Sequence, residues 1–418
     1  MSRRRPGYRL FPASAASLAL LGAALAGPLA AQDAPADLTV MPPVSTDFQP
    51  RRTAWGDPDL RGTWPINDVA EMPVNRPDQY GNRFFKTAEE LAAEQARVEQ
   101  LETGYKKEEA EETIGSGHWI EYLGGASRTS MVVDPANGKL PPMTQQAEAV
   151  YRAGRSSWTP NTAFDWVTDF DSWDRCISRG FPASMLPFRY NNGIRIYQAP
   201  GYVTIALEML GTRVIPLRSS NGNIAHVPGQ VEAYLGNSFG WWEGNTLVIE
   251  TTNLKSGDSA TRDMYARNGS PLNMATRGIP PWNTIPTSER AKVVERLTMV
   301  GENTITYEMT YSDPEVFTAP WTTRIEWIRD DEYQFFEYAC HEGNYMPRDY
   351  ISASRAKRRD IAAGLVDPNA PDDRAQWARI FDRDPAVAPP PQAPGGQGAP
   401  QGARQGAPQA APAGRSGS

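Results

Sequence analysis

The stretch "KVVERLTMVGENTITYEMTYS", Lys292 to Ser312, decides the class of fold. Polar and apolar residues alternate on both sides of Gly301-Glu302-Asn303, which is the pattern of two strands with one wet face and one buried face. Two such runs joined by a short turn are antiparallel neighbours, because a parallel pair needs a crossover of a dozen residues or more.

Working outward, the same texture begins at Ile194. "IRIYQAPGYVTIALEM", "TRVIPLRS", "TLVIETTNL", "WTTRIEWI" and "YQFFEYAC" are short runs rich in β-branched and aromatic residues. Pro200-Gly201, Glu243-Gly244-Asn245 and Asp330-Asp331 punctuate them. The expected fold is therefore mainly β: an antiparallel up-and-down barrel or strongly curved sheet with a few peripheral helices. Ahead of it, "LRGTW" predicts a first strand ending at Trp64. Helices are expected near 87–112, where Thr87 and Glu90 have capping-box spacing, and near 144–154, 353–364 and 372–382.

The ends of the chain read differently. "MSRRRPGYRLF" followed by "AASLALLGAALA" has the layout of a secretory leader over residues 1–31, and its apolar run is too short to span a bilayer. Residues 32–58 read as an extended arm, and 59–384 as one β-rich domain. Residues 385–418 are almost wholly Pro, Ala, Gly and Gln, a composition expected to stay disordered. An exported, periplasmic or secreted protein is the expectation. Losing the leader removes Arg3, Arg4, Arg5 and Arg9 and takes the formal charge from −7 to −11. Such an acidic chain is a poor partner for nucleic acid or anionic lipid, and no integral membrane segment is expected after the leader. The sequence does not specify an oligomeric state.

Chemistry concentrates in "EYACHEGNY", Glu337 to Tyr345, and in "DSWDRCISRGFP" around Cys176. Two cysteines in an exported protein predict a Cys176–Cys340 disulfide; the alternatives are two buried thiols, or a thiolate with His341 as its base. A disulfide would bring Asp174 and Arg175 beside His341 and Glu342, the ingredients of an acid/base site or an anion clamp, or equally of a salt-bridge network that orients the loop. On an extended strand His341 and Glu342 point to opposite faces, and H-E-x-x-H is absent, so no metal or other cofactor is expected. Arg128, Trp241, Trp242, Asn344 and Tyr345 are the candidate ligand contacts, with at most one of the two tryptophans facing inward. His226 reads as a plain loop histidine.

"GWWEGNTLVIETTNL", the stretch from Val293 to Trp321 and "YACHEGNY" resemble a broad family of exported bacterial proteins, mostly without assigned function, over roughly Trp55 to Arg358. Trp241 and Asn245 stand where that pattern has a smaller or charged residue and an aspartate. The resemblance implies export and a β-rich body, and supplies no reaction. Gly62-Thr63-Trp64 also resembles the G-x-W of lipocalin-like barrels. The expected function is a receptacle for a small, partly apolar, aromatic or carboxylate-bearing molecule. The rivals are a cofactor-independent lyase, isomerase or hydrolase using His341 and Arg175, and an envelope scaffold without a small-molecule site.

Overall fold

Antiparallel ladders organise the structure, a computed structural model that describes residues 35–70, 72–111, 126–153, 157, 163–188, 190–219, 225–255 and 285–368. The leader, the helix expected at 372–382 and the tail from 385 lie outside these residues. The hairpin that opened the sequence reading is present as β8 (Lys292–Gly301) and β9 (Thr304–Ser312). Val293, Glu295, Leu297 and Met299 of β8 share the inward face with Ile305, Tyr307, Met309 and Tyr311 of β9, and all eight are buried. Period two alone accounts for this.

The hairpin is the centre of a six-stranded sheet. Its order is β2 (Val132–Asp134), β10 (Trp321–Ile328), β9, β8, β7 (Thr246–Thr252) and β6 (Asn237–Glu243). A second sheet of four strands runs β1 (Gly62–Thr63), β3 (Ile194–Ala199), β4 (Tyr202–Leu207) and β5 (Thr212–Pro216). Every strand pair in both sheets is antiparallel.

The two sheets do not close into the expected barrel. At one seam, among the described residues, only Leu217 and Gly240 bridge, with Arg218 N–H donating to Gly240 O at 2.8 Å. At the other, Asp330 N–H donates to Thr63 O at 3.0 Å, and Thr63 N–H donates to the Asp331 carboxylate at 3.1 Å. Prolines flank both seams: β1 stops before Pro65 and β5 ends on Pro216. A proline has no N–H to carry a ladder further, so each seam stays a point contact. Gly62 is required at the second seam. Its φ is +148°, and a Cβ there would come within 3.0 Å of Arg329 Nε.

The space between the sheets is filled rather than hollow. Trp64, Trp321, Trp327, Tyr307, Tyr311 and Phe181 are each at most 1 % exposed and belong to one apolar cluster drawn from both sheets. Tyr307 stacks on Trp327 at 4.5 Å, and Tyr311 on Trp321 at 5.2 Å. The segment Phe181–Leu186 sends Phe181, Ala183, Met185 and Leu186 into the same cluster. A ring-rich interior was legible in the composition; these rings pack against one another.

Among the described residues three α-helices lie outside the sheets: α1 (Ala88–Ala110), α2 (Gln145–Ala153) and α3 (Met346–Ala362). The α3 helix begins seven residues before the predicted start, with Pro347 in its first turn. Thr87 and Glu90 cap α1 reciprocally: Thr87 N–H donates to Glu90 Oε2 at 2.8 Å, and Glu90 N–H donates to Thr87 Oγ1 at 3.2 Å. Arg83 also grips Glu90 with two bonds of 2.7 Å, and chiefly for that reason the carboxyl pKa falls from 4.5 to about 2. A depressed carboxyl pKa contributes stability that is present above 4.5 and lost as pH falls toward about 2. Amide protection in the first turn of α1, relative to the intrinsic exchange rate at each pH, will therefore fall across that window. Glu90→Ala will produce the same fraying at neutral pH, at a cost of about 1 kcal/mol. Unchanged protection at acid pH would show that the Arg83–Glu90 grip does not hold the helix start.

Candidate functional site

The predicted disulfide is present. Cys176 and Cys340 are bonded, with Cα atoms 5.6 Å apart and a sequence separation of 164. It joins the Asp174–Arg175 loop to the His341 turn. Asn344 Nδ2 completes the junction, donating to Asp174 O at 2.9 Å and lying 3.2 Å from Cys176 Sγ.

The flanking chain departs from expectation. Residues 333–340 join no ladder, although "YQFFEYAC" reads as a strand. Their anchor is Glu208 at the end of β4. Tyr333 OH donates to Glu208 Oε2 at 2.7 Å and Phe336 N–H to Oε1 at 2.9 Å. Gly193 N–H and Asn191 Nδ2 supply two further bonds, at 2.8 and 3.2 Å. One buried carboxylate with four donors thus replaces a row of backbone pairs.

Rings fill this corner. Tyr338 stacks on Trp173 at 6.0 Å and on Tyr190 at 6.4 Å, and Phe188 meets Trp173 edge-on at 5.3 Å. The Arg179 guanidinium lies 4.8 Å over the Phe188 ring, and burial pulls its pKa down to about 9. Burial, with the neighbouring Tyr190, raises the Tyr338 phenol above its ordinary value. Such a corner holds position well and leaves a void of only about 10 Å³ beside Arg179.

The proposed acid/base residues are brought into one region without converging. His341 and Glu342 are exposed in the turn before Gly343, and no described side chain is hydrogen-bonded to the His341 ring. The Asp174 carboxylate accepts a bond from the Ser157 hydroxyl instead. Arg175 is half-buried, Asn344 is taken up by the junction, and Tyr345 is exposed beneath the Arg348 guanidinium. Among the described residues no group of three His, Cys, Asp or Glu side chains is placed to hold a metal ion.

Trp242 faces inward and packs on the core, while Trp241 lies on the outer face with Nε1–H donating to Glu243 at 2.9 Å. His226 is better partnered than a plain loop residue: its ring nitrogens lie 3.0 Å from Asn237 Oδ1 and 3.2 Å from Glu250 Oε1.

Arg128 stands apart from these. It forms an isolated antiparallel bridge with Phe85 and lies against the outer face of the six-stranded sheet. There the N-terminal arm crosses over, held by Arg324 Nη1–H donating to Pro42 O at 2.6 Å and by Asn245 Nδ2–H donating to Phe48 O at 3.3 Å. Between arm and sheet lies a groove of about 160 Å³, walled by Pro42, Val44, Phe85, Arg128, Arg324 and Glu326. Arg128 is 3 % exposed. Its Nη2 donates to Arg324 O and lies 3.1 Å from the Glu326 carboxylate. Its Nε and Nη1 have no partner among the described residues. Burial pulls its pKa down, with Glu326 opposing the shift. A buried cation with two idle donors is costly unless something accepts from them.

Comparison with protein-family models, with curated proteins and with solved structures gave no match for this chain.

Proposed function

We propose that this protein binds a small, partly apolar molecule bearing a carboxylate in the groove beneath its N-terminal arm. The observation that carries the reading is Arg128, buried at the groove with two donor nitrogens unanswered among the described residues. A guanidinium N–H gives a carboxylate oxygen a charge-assisted hydrogen bond, about twice as strong as a neutral one, and the idle Nε–H and Nη1–H each offer one. Phe85, Pro42 and Val44 supply the apolar wall. At about 160 Å³ the space is smaller than the roughly 300–1,000 Å³ of drug-sized sites, so the ligand is small. An exported, periplasmic setting belongs to the same reading, with the leader and the disulfide as its support. A lipocalin-like relation belongs to it also, supported by Gly62-Thr63-Trp64 at the first strand.

The test is a thermal-shift and calorimetric screen of small carboxylates against the full chain. A carboxylate is expected to raise the melting temperature while its amide does not. Arg128→Gln is expected to weaken that binding by roughly tenfold to a hundredfold, the worth of a charge-assisted hydrogen bond. Binding that survives the substitution, or that prefers the amide, removes the basis of the reading.

A second reading rests on the disulfide, which sets Arg175 and His341 in one corner. There His341 would move a proton and Arg175 would steady the anion that forms. Turnover lost in His341→Ala, at an unchanged melting temperature, would favour it over the groove.

A further inference from the structure

We infer that the outer side of α3 is a docking surface for anionic lipid headgroups. The helix carries Arg348, Arg355, Lys357, Arg358 and Arg359 against Asp349 and Asp360, a net charge of +3 in a chain whose formal charge is −7. The whole-chain charge hides this segment, which is why the sequence reads as a poor lipid partner.

Arrangement matters more than the count. The helix packs through Tyr350, Ser354 and Arg358. Tyr350 meets the Phe164 and Phe170 rings edge-on at 5.5 and 6.4 Å. Ser354 Oγ accepts from Phe164 N–H at 2.9 Å, and Arg358 reaches the Asp165 carboxylate. Arg348, Ser352, Arg355 and Arg359 follow at i, i+4, i+7 and i+11, so they form one stripe turned away from that packed face. Its length is about 16 Å at 1.5 Å per residue. Arg348, Arg355 and Arg359 are all exposed, and no α3 residue is buried. Arg348 keeps an exposed ion-pair contact with Asp349 at 3.0 Å, and Arg355 one with Asp165 at 3.9 Å together with an Nη2–H bond to Asp165 O at 2.6 Å. Exposed pairs of this kind hold their partners weakly and are readily exchanged for a phosphate.

A second feature selects lipid over a soluble polyanion. An aromatic side chain borders the stripe in the open: Tyr345 is 61 % exposed, with the Arg348 guanidinium 5.0 Å over its ring. An exposed amphipathic ring next to guanidinium groups matches the boundary between headgroups and acyl chains. Each basic residue near an anionic surface strengthens binding about fivefold.

The experiment is sedimentation of the full chain with phosphatidylcholine vesicles, with and without phosphatidylglycerol. Binding is expected only to the anionic vesicles, and is expected to be lost in about 0.5 M salt. Arg348→Glu with Arg359→Glu should weaken it at least tenfold, whereas Arg61→Glu, an exposed control on the far side of the chain order, should not. If the double reversal does not fold, Arg348→Gln with Arg359→Gln tests the same stripe. Equal binding to both vesicle types, no binding, or binding indifferent to both double variants overturns the inference. So does retention on a soluble polyanion such as heparin with no affinity for vesicles.

Discussion

Glu295→Ala is expected to lower the stability of this protein by roughly 3–5 kcal/mol, the usual cost of leaving a buried charge without its partner. Glu295 is fully buried, and its carboxylate accepts two bonds from Arg213, of 2.8 and 2.5 Å, and a third from Tyr307 OH at 2.9 Å. Arg213 Nη2 also contacts Ser238 Oγ and Thr251 Oγ1, each at 3.2 Å, while its guanidinium lies 4.4 Å over the Phe181 ring. The group therefore ties β5 of one sheet to β6, β7 and β8 of the other. Burial and the Glu295 charge raise the Tyr307 phenol well above its ordinary value, so it remains a donor throughout the physiological range. Arg213→Ala should cost a similar amount. Arg213→Met with Glu295→Leu should recover most of it, because two well-packed apolar side chains replace a buried ion pair at little net loss. Denaturant unfolding of the three variants decides the matter. A Glu295→Ala loss below about 1 kcal/mol would mean that water reaches the pair.

Reducing the disulfide is the second large effect. Cys176 and Cys340 are separated by 164 positions, and closing so long a loop restricts the unfolded chain by about 5 kcal/mol in the chain-entropy model. Locally, the bond is what keeps residues 333–345 on the body beyond the Glu208 anchor, since that segment has no ladder of its own. Cys176→Ser with Cys340→Ser is expected to lower the denaturant midpoint and to expose Trp173, which stacks on Tyr338, to solvent. Tryptophan emission and alkylation before and after reduction read both effects. Two thiols free to alkylate in the unreduced protein would contradict the bond itself.

Several features were readable because their signals are local. The hairpin at 292–312 follows from period two and one turn. The cap of α1 needs only Thr87 and Glu90 at the right spacing. The cysteine pairing came from compartment and count, without geometry. Other signals were present but easily passed over. Glu295 sits in phase with Val293, Leu297 and Met299, and Arg213 in phase with Ile215, so each strand placed a charge on its own buried face. A charge in the apolar phase implies a partner on another strand. The arginine spacing on α3 was equally visible, masked by an acidic total. By contrast, residues 333–340 have a strand's composition and no strand's partner, because the chain turns at Asp330-Asp331 and the Phe336 amide and Tyr333 hydroxyl find Glu208 instead.

From the order of residues alone one obtains strands, turns, caps and the preference for an antiparallel, mainly β body. Those choices depend on neighbours a few positions apart, whose energies are set by backbone geometry and side-chain period. Only the tertiary structure decides that two sheets meet at point seams, that the interior is packed full, and that Arg128 comes to lie under an arm some eighty positions earlier in the chain. These outcomes turn on which distant groups neutralise or exclude one another once water is gone. Such long-range pairing has no period that a sequence can display.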